Sequence, residues 1–285
     1  MLYEISNGKM KIGADTFGAE LHSVQLDGRE YLWQCGDAWK RYAPVLFPFV
    51  CSPKDRKYMA KGKDYKMLAN HGFARDSEFE FVSQTDNSVE FVLKDNDTTY
   101  AQYPYHFTLT VKYTIEGNTV KVENKVKNLD EDKMYFYIGA HPAFNCPLEE
   151  GESFDDYYIE YENQEHITQK VGDDTKVLLE YGNELDVTRA LFDNDAIIID
   201  MPNSKAVSLK SRKSEHSVTV KYPMSDCIAV WSPTGDDNAK FVCLEPWSSV
   251  PVYCDDIFDN IENKPHAVSI SADEEYTYAY DIELK

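Results

Sequence analysis

Three short stretches of this 285-residue chain set titratable side chains against glycine or proline inside otherwise apolar runs. In "LANHGFARDSEFEF", His71 and Arg75 flank Gly72 and Phe73 just before an alternating strand pattern. In "MYFYIGAHPAFNCPL", an aromatic run reaches Gly139 and Ala140 and then meets His141 and Pro142. In "FVCLEPWSSVP", Glu245 follows the apolar run from Phe241 to Leu244 and is followed by Pro246 and Trp247. Each stretch has a structural reading: a turn with a hydrogen-bonded histidine, a strand stopped by a proline that cannot continue a central ladder, and a buried salt bridge. Each also has a chemical one. An imidazole gives or takes a proton near neutral pH. A carboxylate in apolar surroundings loses hydration, and its pKa rises toward the range of a useful general base. Together the three stretches offer an acid–base pair, His141 and Glu245, with His71 and Arg75 available to hold an oxygen-rich substrate. Trp33, Trp39, Phe73 and Trp247 could stack on sugar rings.

Metal ligation competes for the same residue types. The chain has no H-x-H, no H-E-x-x-H and no close His/Asp cluster, so no metal site is assigned. A phosphate-binding glycine loop, a G-x-S-x-G elbow and a dinucleotide fingerprint are absent too. The six cysteines, at 35, 51, 146, 227, 243 and 254, form no C-x-x-C pair and read as reduced thiols acting as small apolar residues.

The elements that must position these residues are strands. In "HFTLTVKYTI", Phe107, Leu109, Val111, Tyr113 and Ile115 alternate with polar residues. "EGNT" turns the chain, and Val120, Val122, Asn124 and Val126 resume the alternation, which predicts a hairpin with a Gly-Asn turn. "EFEFVSQTDNSVEFVLKD" and "KAVSLKSRKSEHSVTVKYP" follow the same pattern. Helical periodicity is scarce, with one short helix expected within "DDIFDNIEN", residues 255–263. No linker, repeat or composition shift divides the chain. The expectation is an all-β protein, a large antiparallel β-sandwich, as a single domain over 1–285.

A formal net charge of -21 repels phosphate backbones and anionic lipid, which argues against nucleic-acid and membrane-surface partners. The first residues lack a basic region followed by an apolar one, and no apolar run approaches the roughly 20 residues a bilayer needs. A cytoplasmic protein is expected, as a monomer or a homodimer.

In order and spacing, the three stretches resemble the signature segments of the aldose 1-epimerase (galactose mutarotase-like) family, in its bacterial LacX-type branch. The resemblance runs from "DTFGAELHSVQLDGREYLWQCGDAWKRYAPVLFPFV" through "HGFARDSEFE", "YPYHFTLTVKYTI" and "IGAHPAFNCPL" to "VWSPTGDDNAKFVCLEPWSSVP". It implies a β-supersandwich and cofactor-free interconversion of hexose anomers, with the sugar free or phosphorylated. It also implies Glu245 as general base, His141 as general acid, and His71 and Arg75 as sugar-binding residues. Asp195 of "LFDNDAIIID" would be the sugar-binding aspartate. One departure stands out: after "PVLFPFV" relatives usually show Gly-Arg, where this chain has Cys51-Ser52, and a serine cannot replace a planar fork of donors. Either Lys54, Arg56 or Arg75 compensates, or the substrate differs, or activity is low. A sugar-binding protein without catalysis is the alternative on the same fold. A glycoside hydrolase would need a second carboxylate for which the sequence offers no convincing candidate.

Overall fold

The side chains of Phe107, Leu109, Val111, Tyr113 and Ile115 are all buried, while the residues between them are partly exposed. That strand, Phe107–Glu116, pairs antiparallel with Thr119–Asn128 across a turn at Gly117 and Asn118. Gly117 has φ +65°, a conformation this tight turn requires and L side chains rarely adopt. The predicted hairpin is therefore present, and it lies inside a nine-stranded antiparallel sheet. On one side its neighbours are Ser88–Lys94 and Glu80–Gln84. On the other lie Glu275–Leu284, Ser217–Lys221, Ala206–Ser211, Tyr157–Val171 and Asp174–Asp186.

A second, six-stranded sheet carries the chemistry-bearing stretches. Its order is Ile197–Asp200, Cys227–Trp231, Phe241–Trp247, Gly139–Ala140, Val45–Leu46, with Ala143–Asn145 also paired to Phe241–Trp247. A four-stranded sheet spans Leu2–Ser6, Met10–Asp15, Leu21–Leu26 and Arg29–Glu30. One hydrophobic core, running in sequence from Ile5 to Leu284, joins the inner faces of these sheets. The protein is an all-β antiparallel sandwich. The computed structural model describes residues 1–251 and 258–285. Its one α-helix among those residues is Asp97–Tyr100, capped by Asn96. No helix among them is long and apolar enough to cross a membrane.

Two local expectations are corrected. Residues 252–257 lie outside the described residues, so the helix expected over 255–263 is testable only in its second half. That half forms a single 3₁₀ turn, Ile261–Asn263. The second correction concerns Pro142, which interrupts the strand rather than ending it. Gly139 pairs with Trp247, pairing lapses at His141 and Pro142, and Ala143 then pairs with Cys243 and Phe144 with Val242. Proline removes one donor from the ladder, but its carbonyl still accepts from Leu244 N–H at 3.3 Å, so the partner strand carries the sheet past the gap.

An aromatic cluster anchors the loops that approach this gap. Phe47 packs against Phe73, Tyr103, Phe107 and Phe136 at ring-centroid distances of 5.2–6.0 Å. Such pairs add about 0.5–1.5 kcal/mol each beyond simple burial. Gly139 is equally constrained, because a Cβ there would lie 2.6 Å from Cδ1 of the fully buried Trp247. Gly139→Ala should overpack this junction by about 1–3 kcal/mol, lowering the thermal midpoint by several degrees. Scanning calorimetry of the two proteins checks this; an equal midpoint would mean that Trp247 has room to move.

Candidate functional site

Phe241–Trp247 is buried at every position, so Glu245 enters the sheet interior with the apolar residues around it and is 2% exposed. Its cross-strand neighbour is Ala229, whose small side chain leaves space beside the carboxylate. On the other flank the ladder lapses at His141, and Nε2 of His141 lies 3.2 Å from Oε2 of Glu245. The contact is close but not aligned as a hydrogen bond. Oε2 of Glu245 and Nδ1 of His141 are both buried without a hydrogen-bond partner among the described residues. Buried polar groups left this way are costly and uncommon away from functional sites.

Burial governs the electrostatics. Desolvation pushes the Glu245 carboxyl well above its ordinary value of 4.5, and the charge of Asp195 pushes the same way. Desolvation drives the His141 imidazole well below 6.5, reinforced by His71, Arg75 and Arg41. Each shift favours the neutral form of its own group.

His71 is the third member. It has φ +61° and is held by one residue through two bonds: its N–H donates to the Cys51 carbonyl at 2.7 Å, and its Nδ1 accepts from the Cys51 N–H at 3.0 Å. Accepting at Nδ1 leaves the ring proton on Nε2, the free edge of the imidazole. Burial, then Arg75 and Arg41, push its pKa down to about 3, so the ring is neutral. Gly72 makes this geometry possible, since a Cβ there would lie 2.0 Å from the Phe47 carbonyl oxygen. The rings of His71 and His141 meet edge to face at 5.7 Å.

Trp39 stacks on His141 at 4.9 Å and Trp231 meets it edge-on at 5.5 Å, forming an apolar wall. The Trp231 indole N–H donates to Oδ1 of Asp195 at 2.8 Å. Asp195 is exposed and lines, with His71, Cys51, Ser52 and Pro251, a cavity of about 790 Å³. Of the expected stacking residues, Trp39 is at the site. Trp33 packs behind it on Phe241, and Phe73 and Trp247 belong to the core.

Arg75 stands further back. Its side chain is 14% exposed, its Nε has no hydrogen-bond partner among the described residues, and the paired carboxylate oxygen, on Asp76, is 3.9 Å away. Its charge depresses both imidazoles. Burial lowers its own pKa to about 10.

Three residues that sequence reasoning passed over shape the site. Trp231 ends its strand opposite Cys243, a position visible only once the pairing is known. Cys243 lies two residues before Glu245 on the same strand, and its thiol approaches the pair. Glu20 is 5% exposed and accepts from the backbone N–H groups of Tyr42 and Ala43 at 2.8 and 2.9 Å. The segment it fixes supplies carbonyls to the site: Tyr42 to Ala143 N–H, and Pro44 to His141 N–H. A lone acidic residue in "FGAEL" carried no signal of that task.

Comparison with known proteins gives the family. A model of the aldose 1-epimerase family matches residues 1–283. The chain is 34% identical to the plasmid and chromosomal LacX proteins of Lactococcus lactis subsp. lactis, over all of this chain and 99% of those. A galactose mutarotase related enzyme from Lactobacillus acidophilus superposes with a TM-score of 0.92 at 30% identity, over 100% of this chain and 97% of that one. A galactose mutarotase-like protein from Lactobacillus casei gives 0.91 at 30% identity, over the full length of both. With the match running through the whole chain, and through the strands that carry His141 and Glu245, the protein belongs to the aldose 1-epimerase family.

Proposed function

We propose that the protein interconverts the α and β anomers of a hexose, with His141 and Glu245 as the proton-transferring pair. The observation that carries this reading is their 3.2 Å approach, buried and without an aligned hydrogen bond between them. Anomerisation needs an acid and a base acting on two oxygens borne by one carbon, O1 and O5. A close pair fits that demand, whereas glycoside hydrolysis calls for two carboxyl groups about 5–9.5 Å apart.

In the forward direction the proton of the pair moves across the 3.2 Å contact from Glu245 to His141; the carboxylate then takes the proton of the O1 hydroxyl while the imidazolium delivers its own to O5. The C1–O5 bond breaks, and its electron pair stays on O5 as the new hydroxyl while C1 becomes the aldehyde carbon. Rotation about C1–C2 presents the other carbonyl face. The same two residues run in reverse and close the ring as the other anomer. His71 donates from Nε2 to a ring or hydroxyl oxygen, Asp195 accepts from a sugar hydroxyl, and Trp39 and Trp231 keep water from the pair. Arg75 acts on the two imidazoles through its charge.

The cavity rim favours a second reading, in which the hexose carries a phosphate. Residues 54–66 hold six basic residues against two acidic ones in a chain of net charge -21. Lys54, Arg56 and Lys66 from this segment line the cavity that His71 and Asp195 line. None of the three pairs with a carboxylate among the described residues. They stand beside Ser52, where relatives usually carry an arginine.

Three outcomes test these readings. Glu245→Gln should slow mutarotation of freshly dissolved α-D-glucose or α-D-galactose by about 10²–10⁴-fold while the circular dichroism spectrum is kept; a parental rate in polarimetry would remove Glu245 from the mechanism. Because the carboxyl is raised and the imidazole lowered, the pH range over which the pair holds one proton is widened at both ends. The value of kcat/KM should therefore stay flat from about pH 6 to pH 8, and a fall centred near 6.5 would show an ordinary imidazole at work. Replacing Lys54 and Arg56 by alanine should raise KM for a hexose 6-phosphate by about tenfold or more and leave KM for the free hexose within about twofold. Equal effects on both sugars would exclude a phosphate at this rim. Sugar binding without rate enhancement for any of them would instead identify a binding protein.

A further inference from the structure

Cys243 is a fully buried thiol that the proposed mechanism does not use. It makes no hydrogen bond among the described residues. Its Sγ, a ring nitrogen of His141 and a carboxylate oxygen of Glu245 all lie within 4.8 Å of one another. Alternation puts residues 243 and 245 on one face of their strand, and the lapse in pairing at His141 brings the imidazole to them. We propose that these three side chains form a binding site for a borderline-soft divalent cation, Zn²⁺ above all.

The geometry supports this in three ways. A point exists within about 2.8 Å of all three ligand atoms, and Zn–S and Zn–N bonds of about 2.3 and 2.0–2.1 Å are reached from there by sub-ångström side-chain shifts. The donor set of one sulfur, one imidazole nitrogen and one carboxylate oxygen is one that Zn²⁺ accepts, with the fourth tetrahedral position left for water. Oε2 of Glu245 is buried and makes no aligned hydrogen bond among the described residues, though the Trp247 indole and His141 Nε2 stand near the carboxylate, and a cation would satisfy it. Short-spacing motifs miss the site because one ligand lies about a hundred residues from the other two.

Occupancy has a consequence that rests on the catalytic reading above. A cation bound to the His141 ring and to the carboxylate occupies the groups that proton transfer needs, so the loaded protein would not anomerise sugar. Metal would act here as an inhibitor, not as a cofactor.

The test uses the full chain stripped of metal, with Cys243→Ser and Cys243→Ala beside it. Zn²⁺ is titrated against a chromophoric chelator, and Co²⁺ is added separately to read thiolate-to-cobalt charge-transfer absorption. The parent should take up one equivalent of either ion and show the charge-transfer band. Both variants should bind Zn²⁺ at least tenfold more weakly and lose the band, with thermal unfolding midpoints near that of the parent to show they are folded. Mutarotation by the parent should fall with Zn²⁺ occupancy and return on adding a chelator. Uptake and band that persist in both variants would overturn the site, as would a parent that takes up no equivalent. A parent that binds both ions through Cys243 yet never accelerates mutarotation, loaded or stripped, would uphold the site and overturn the catalytic reading alone.

Discussion

Everything at the centre of this protein depends on holding a carboxyl group where water cannot reach it. Glu245 occupies the middle of a strand that is buried at all seven positions. A charge in such a place is expensive, and among the described residues no arginine or lysine pairs with it; its ion-pair neighbour there is His141. The sheet accommodates this by interrupting the adjacent strand at His141 and Pro142, so that an imidazole rather than a backbone amide faces the carboxyl group. A carboxyl and an imidazole that are each pushed toward the neutral form then stand where a buried ion pair would. The indoles of Trp39 and Trp231 close the space around them.

The surrounding framework reads as the means of keeping that arrangement in register. The nine-stranded sheet supplies area and the long antiparallel ladders. The Phe47 cluster fastens the loop that carries His71 to the sheet that carries His141. Glu20 works on the same junction from the other side, as a buried acceptor that ties down residues 42 and 43 while the adjoining carbonyls hold His141 and Ala143.

The fold was largely legible in the sequence because period-two alternation depends on local pattern alone. The strands around Val111 and Val122, and their turn, lie where the pattern puts them. The site was legible in its members but not in its assembly. His71, His141 and Glu245 announced themselves by interrupting apolar runs. Their convergence, and the parts played by Trp231, Cys243 and Glu20, depend on which strands pair, and no local pattern encodes that. Pro142 shows the limit most clearly. The rule that proline stops a ladder is sound for an isolated strand, yet here the partner strand 241–247 spans the gap and pairing resumes one residue later.

The clamp on His71 uses only the N–H and C=O of residue 51. Main-chain atoms are common to all residues, so the imidazole is aimed by the course of the chain and not by the identity of any side chain at 51 or 52. Aim and recognition are thus separate variables in this loop. The side chains of Cys51 and Ser52 take no part in the clamp. On the function proposed above, the loop can change which sugar it favours while His71 keeps its aim.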